Sequence, residues 1–256
     1  QDGRICIGTI LLERNRHNDG KVPTYRVSEW MDRFRADGFD GMEVWENHAL
    51  LADEAEREAI RGGGLPVVVY NTYAVFDDSG EADRRKAAEM AGRFGARGVK
   101  FNLPADESRL DEYADVAARW LETLPTSCDA LCECHPGTVM EDPAKAAAAF
   151  RRWGNPRFKA MVHFPRTPDY LRSWFEHCGD RIVHAHVQMR DENRKVLRLS
   201  SRPEQVRESL VVLREAGFRG SFTLEFTEGM NAPEETIEAS YAAALDDLAF
   251  IRENWK

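Results

Sequence analysis

"FRADGFDGMEVWE" at positions 34–46 and "LREAGFRGSFTLEF" at 213–226 carry the same local plan near opposite ends of the chain. Each closes a helix, passes through Gly-Phe-x-Gly and enters a β-rich run with a glutamate near its end. A glycine after a helix fits a left-handed C-terminal cap, because a residue without Cβ takes positive φ at no steric cost. The pair therefore reads as one βα unit used at least twice.

Working outward, short β-rich runs alternate with stretches of helical spacing along the whole chain. The strand candidates are 4–11, 41–46, 66–71, 97–103, 129–134, 157–163, 181–188 and 220–226. Amphipathic segments near 27–37, 51–61, 81–95, 108–123, 142–153, 168–178, 203–216 and 235–254 are each long enough for a crossover helix. No Pro/Ser-rich linker or shift in composition divides them, so residues 1–256 are expected to form one α/β domain. Strict βα alternation fits a closed (β/α)8 TIM barrel, with an open doubly wound sheet as the competitor. The barrel is preferred because an open sheet of eight strands needs edge strands and no strand here looks edge-like.

Composition narrows the class. With 44 acidic and 35 basic residues the formal charge is −9, which disfavours a phosphate-backbone surface, and no nucleic-acid partner is expected. No apolar run approaches the roughly 18–20 residues of a membrane helix, so no membrane partner is expected either. The five cysteines, Cys6, Cys128, Cys132, Cys134 and Cys178, are odd in number and lack zinc or disulfide spacing, and read as reduced core residues. Nothing at the N-terminus looks like a signal peptide and a cytoplasmic location is expected, although a chain that begins at Gln1 leaves a removed segment open.

Chemistry in such barrels gathers at the C-terminal ends of the strands. The polar residues falling there are Glu43, Trp45, Glu46 and His48; Asn71; Lys100 and Asn102; Glu133 and His135; His163; His184, His186 and Gln188; and Glu225. Side chains alternate between lumen and helix layer along each strand. In "SFTLEF" the apolar set Phe222, Leu224 and Phe226 suits the helix layer and leaves Ser221, Thr223 and Glu225 for the lumen. By the same parity His184, His186 and Gln188 share a face, as do Lys159, Met161 and His163. Glu133, His163, His186 and Glu225 then converge on one quadrant, an inventory that suits a divalent metal. Mixed N and O donors favour Mn²⁺, Zn²⁺, Fe²⁺ or Co²⁺ over Ca²⁺ or Mg²⁺, with Mn²⁺ the first expectation. The competing reading pairs Glu133 and Glu225 with Lys100 or Lys159 as structural ion pairs.

"GFDGMEVWE", "LCECHPGT", "RIVHAHVQMRD" and "GFRGSFTLEF", in that order, resemble the strand motifs of the sugar phosphate isomerase/epimerase superfamily of xylose isomerase-like barrels. The resemblance implies one divalent metal held by Glu133, His163, His186 and Glu225, with Glu133 and Glu225 also serving as catalytic acid/base. It departs at His163, where the family usually has Asp, and at Gln188, where a Lys commonly follows the strand-seven histidine. The expected reaction is isomerisation or epimerisation of a sugar or sugar derivative by proton transfer through a metal-stabilised enediolate. The same chemistry serves a dehydratase or lyase on a keto sugar, as in C-glycoside deglycosidases. A catalytically silent sugar-binding or assembly subunit is the third reading. Lys100, His135, Glu43 and Arg166 are candidates to hold hydroxyls or an acidic group, and Trp45 to offer a sugar-stacking face. Arg190, Arg194 and Lys195 in "MRDENRK" read first as a solvated loop. A small carbohydrate is the expected partner, together with a homo-oligomer.

Overall fold

The structure, a computed structural model, describes residues 3–255 apart from the Asp19 side chain. Eight parallel strands close into a barrel: β1 (Ile5–Gly8), β2 (Gly41–Trp45), β3 (Val67–Asn71), β4 (Gly98–Phe101), β5 (Asp129–Glu133), β6 (Phe158–Phe164), β7 (Ile182–Val187) and β8 (Ser221–Leu224). Closure is through β1, which pairs with β2 on one side and with β8 on the other, Cys6 facing Gly41 and Thr223. The open doubly wound alternative is thereby excluded.

The crossover layer comprises α1 (Met31–Ala36), α2 (Glu46–Leu50), α3 (Glu54–Gly62), α4 (Glu81–Phe94), α5 (Leu110–Leu121), α6 (Pro143–Trp153), α7 (Pro168–Cys178), α8 (Pro203–Glu215) and α9 (Ile237–Asn254). Eight of these answer to the amphipathic segments. The short α2 was not expected; it follows β2 directly, and its His48 is drawn inward by buried partners on the loop after β1. A two-stranded antiparallel ribbon, Met189–Arg190 with Val196–Leu197, is likewise added after β7.

Both copies of Gly-Phe-x-Gly do the same work. Gly38 and Gly217 stand at φ 102° and 71°, and the amides that follow, Phe39 N and Phe218 N, donate back to Phe34 O and Leu213 O at 2.9 Å. That closes α1 and α8 with a left-handed cap. The second glycines serve packing instead: a Cβ on Gly41 would lie 2.6 Å from Val68 Cγ2, and one on Gly220 2.1 Å from Val183 O. Side chains there would push the strand off its neighbour.

Between barrel and helices lies a continuous apolar layer, with aromatic clusters such as Phe76, Phe101, Trp120, Trp153 and Phe158. A small separate cluster that includes Cys6, Val69, Leu131 and Met161 packs together beneath the polar residues of the strand tips. All five cysteines are free and buried. Several strands stop short of their expected ends, and at two of them the change matters. β1 gives way at Thr9 to a 3-10 turn, Thr9–Leu12, because Thr9 Oγ1 is taken by Trp45 N at 2.9 Å. β8 ends at Leu224, so strand parity no longer governs Phe226; it leaves the helix layer and lies half-buried under the guanidinium groups of Arg16 and Arg190. No helix is long and apolar enough to cross a membrane among the described residues.

Candidate metal centre

β5, β6 and β7, with the residue just past β8, deliver Glu133, His163, His186 and Glu225 to one point. One donor atom from each lies within 4.8 Å of all the others, and all four residues are buried. Donors sharing an ion with bonds of about 2.0–2.2 Å sit at most ~4.4 Å apart, so a shift of a few tenths of an ångström closes the set. Parity explains the convergence: His163 and His186 are register partners across β6 and β7, and His186 faces Thr223 on β8.

Three of the four donors, Glu133, Glu225 and His186, are held from behind. Glu133 Oε1 is 3.0 Å from His163 Nε2, and its Oε2 accepts from Asn102 Nδ2 at 2.8 Å and pairs with Lys100 Nζ at 2.9 Å. Burial pushes this carboxyl up, but Lys100 and the two histidines outweigh it and hold it well below the usual range. Glu225 Oε2 accepts from Gln188 Nε2 at 2.6 Å. His186 Nε2 faces Glu43 Oε2 at 2.9 Å. Glu43 is fixed in turn by Asn71 Nδ2 at 2.8 Å. His184 completes this layer, reaching Ser221 Oγ at 2.7 Å, Thr223 Oγ1 at 3.0 Å and Glu43 at 3.5 Å.

The fit to a cation rests on His186. Its Nδ1 is buried without a hydrogen-bond partner, yet points at Glu133 Oε1 at 3.5 Å and Glu225 Oε2 at 3.4 Å. Such an atom is costly unless something claims it. Burial alone would lower this imidazole's pKa, but Glu43, Glu225 and Glu133 raise it well above the ordinary value, so the local field calls for positive charge there. Glu43, His184 and His186 form a second donor group. Its members are satisfied by one another and by hydroxyls, which makes it a supporting layer.

The candidate substrate residues divide. Lys100 is 1% exposed and spans from Glu133 to the Tyr73 ring, 4.3 Å from its Nζ. His135 is exposed on the rim, its ring 5.5 Å from that of His163. Two expectations are corrected. Glu43 is 2% exposed behind His186, where it cannot hold a substrate hydroxyl. Trp45 is 1% exposed, edge-on to His48, and has no open face for a sugar. Arg166 stacks on Tyr170 of α7 at 4.0 Å. Two rim residues prove to be braces: Glu46 accepts from Thr72 Oγ1 and Tyr73 N, and His48 binds Thr9 and Glu13.

Tyr73 was missed. It stands two residues past β3, 45% exposed, with burial of its hydroxyl region and the nearby glutamates raising its pKa to about 12 against the pull of Lys100. Its only sequence signal is the position just beyond a strand end. Arg190, which read as part of a solvated loop, is tied to the site, its Nε donating to Gln188 Oε1 at 2.7 Å.

No protein-family model matches the sequence, and no curated protein matches it at the sequence level. Solved structures do match over the whole chain. The 3-keto-D-glucoside 4-epimerase YcjR from E. coli superposes with a TM-score of 0.68 at 16% identity, covering 98% of this chain and 100% of its own. The probable 3-DHS dehydratase AsbF from Bacillus anthracis gives 0.68 at 14% identity, covering 99% and 100%. The IOLI protein with a binding zinc atom gives 0.70 at 12% identity, covering 98% and 99%. The chain therefore shares its closed (β/α)8 barrel fold with solved structures that include an epimerase and a probable dehydratase.

Proposed function

We propose that the chain is a single catalytic domain, a divalent-metal-dependent isomerase or epimerase of a sugar or sugar derivative. The observation that carries this is the orphaned His186 Nδ1 facing two buried glutamates and His163. Glu133, His163, His186 and Glu225 would hold the ion, Mn²⁺ being the first expectation and Zn²⁺, Fe²⁺ or Co²⁺ the alternatives. When bound, a divalent ion supplies Lewis-acid polarisation of a carbonyl and its neighbouring hydroxyl, which acidifies the C–H between them.

The two glutamates are not equivalent as bases. Glu133 carries Lys100, Asn102 and His163 on its oxygens, all of which stabilise its anionic form. Glu225 accepts one hydrogen bond from a neutral amide, Gln188. Glu225, which has no ammonium on its oxygens, is the glutamate that removes the proton from the substrate carbon. The protonated Glu225 can return that proton to the adjacent carbon; on the opposite face Glu133 would pass on a proton relayed from the Lys100 ammonium, 2.9 Å from its Oε2. Tyr73 and His135 flank the cluster at the surface, where His135 can reach a substrate hydroxyl, while Lys100 lies buried on Glu133.

His135 also favours a second reading. An exposed imidazole beside the cluster can protonate a departing hydroxyl, the step that turns the same proton abstraction into a dehydratase or lyase. Incubation of the Mn²⁺-loaded protein with a panel of ketoses and keto sugars in deuterated water separates the two. Deuterium entering carbon without loss of water or aglycone is expected, and Glu225→Gln should slow it by about 10²-fold or more. Release of water or aglycone favours the lyase. Less than about a tenth of an equivalent of metal after purification, with no gain in melting temperature on adding Mn²⁺, would leave the silent subunit.

A further inference from the structure

We infer that the substrate of this centre carries an anionic group, a carboxylate or a phosphate, and that Arg190 is the residue that reads it. The inference rests on the proposed function in taking the four-donor cluster as the substrate site. It begins from charge. Three carboxylates, Glu43, Glu133 and Glu225, surround the candidate centre, against one ammonium, Lys100. With neutral imidazoles and a divalent ion in place the inner cluster is balanced, and no anion is needed to complete it. Arg190 is a further positive charge beside it.

Arg190 stands one side chain away from the donors. Its Nε donates to Gln188 Oε1 at 2.7 Å, and Gln188 Nε2 donates to Glu225 Oε2 at 2.6 Å. Its Nη1 is anchored on Arg194 O at 2.8 Å, across the ribbon Met189–Arg190/Val196–Leu197. The guanidinium lies 5.8 Å from the centroid of the Phe226 ring. It is held in place, yet among the described residues it forms no ion pair with a carboxylate, and its Nη2 carries no hydrogen bond. Arg16, on the same Phe226 ring, is by contrast locked to Glu235 at 2.6 Å. A fixed guanidinium with an open edge beside the donor cluster matches the planar, two-oxygen geometry of a carboxylate or phosphate. The neighbourhood points the same way. Lys21 Nζ sits 5.5 Å from the Tyr73 ring, and the exposed His17 is depressed by partial burial and then by Arg16, Lys21 and Arg190. The mouth is thus locally basic on a chain of net charge −9.

Calorimetric titration of the Mn²⁺-loaded protein with D-glucuronate, D-fructose 6-phosphate and D-fructose, at low and high salt, tests this. At least one acid should bind about tenfold more tightly than D-fructose, and which one does so tells carboxylate from phosphate. Salt should weaken the acid and leave the neutral sugar alone. Arg190→Gln should remove the preference while keeping D-fructose within about threefold, and Arg190→Lys should keep part of it. Equal binding of neutral and acidic sugars by the wild type, no binding of either acid, or a preference that survives Arg190→Gln overturns the inference. The wild-type arm decides even if a variant misfolds. Loss of deuterium exchange with the acid preference intact sinks the catalytic reading alone; exchange without the preference sinks this one alone.

Discussion

Glu43 shows how a residue's neighbours decide its task. A glutamate at a strand end looks like a substrate contact, but here a register position on β2 places it against His186 Nε2 and Asn71. Burial opposes its charge, yet His186 and His184 win and hold the carboxyl far below its usual range. A carboxylate behind a histidine orients the ring and raises the basicity of the opposite nitrogen. Glu43→Gln is therefore expected to weaken Mn²⁺ or Zn²⁺ affinity by about 10–100-fold with little loss of fold, as read by competition with a chelating dye. Unchanged affinity would assign Glu43 to packing. At the same scale Gln188 bridges Glu225 to Arg190, while the ammonium next to the donors comes from Lys100 on β4.

At the level of elements, the rim is held by buried polar ties between loops. Arg16, on the loop after β1, binds Glu235 and Asn231 on the loop before α9. Glu13 ties the same loop to α2: burial pushes its carboxyl up, but His48, Thr24 and Asn15 prevail and draw it down to about 2. α9 contributes Asp247, whose oxygens accept from Leu199 N at 2.8 Å and Thr227 Oγ1 at 2.9 Å, joining the segment before α8 to the strand-eight loop. Burial dominates there and raises its pKa to about 6 from 3.8. The folded state then binds the proton more tightly than the unfolded chain, so this contribution is full below pH ~4 and is lost as pH rises through about 6. A shift of this size corresponds to ~3 kcal/mol. Urea unfolding of wild type and Asp247→Asn at pH 4 and 7 should show the wild type losing about that much more than the variant across the interval. Parallel curves would refute the assignment.

For the whole molecule, four donors on four neighbouring strand ends make the barrel's closure and the centre one thermodynamic unit. An ion that binds only the folded arrangement stabilises it by mass action, about 2.7 kcal/mol at a hundredfold excess over Kd. Chelation by EDTA is accordingly expected to lower the melting temperature reversibly, and re-addition of Mn²⁺ to restore it. His186→Ala should abolish that response while the apo-protein remains folded. An EDTA-insensitive melt in the wild type would remove the metal from the account.

The sequence by itself determined the barrel, because βα alternation, glycine caps and period-two strand patterning are local properties that each segment expresses alone. It also determined which side chains share a face, so Glu133, His163, His186 and Glu225 were legible as a set. Beyond the strand ends parity lapses, and only tertiary structure decided the rest. Phe226 moved to the rim, Trp45 and Glu43 were covered, and Tyr73 and Arg190 were brought to the mouth. Those placements depend on contacts between segments far apart in the chain, such as the hydrogen bond from Gln188 to Glu225, which no local pattern encodes.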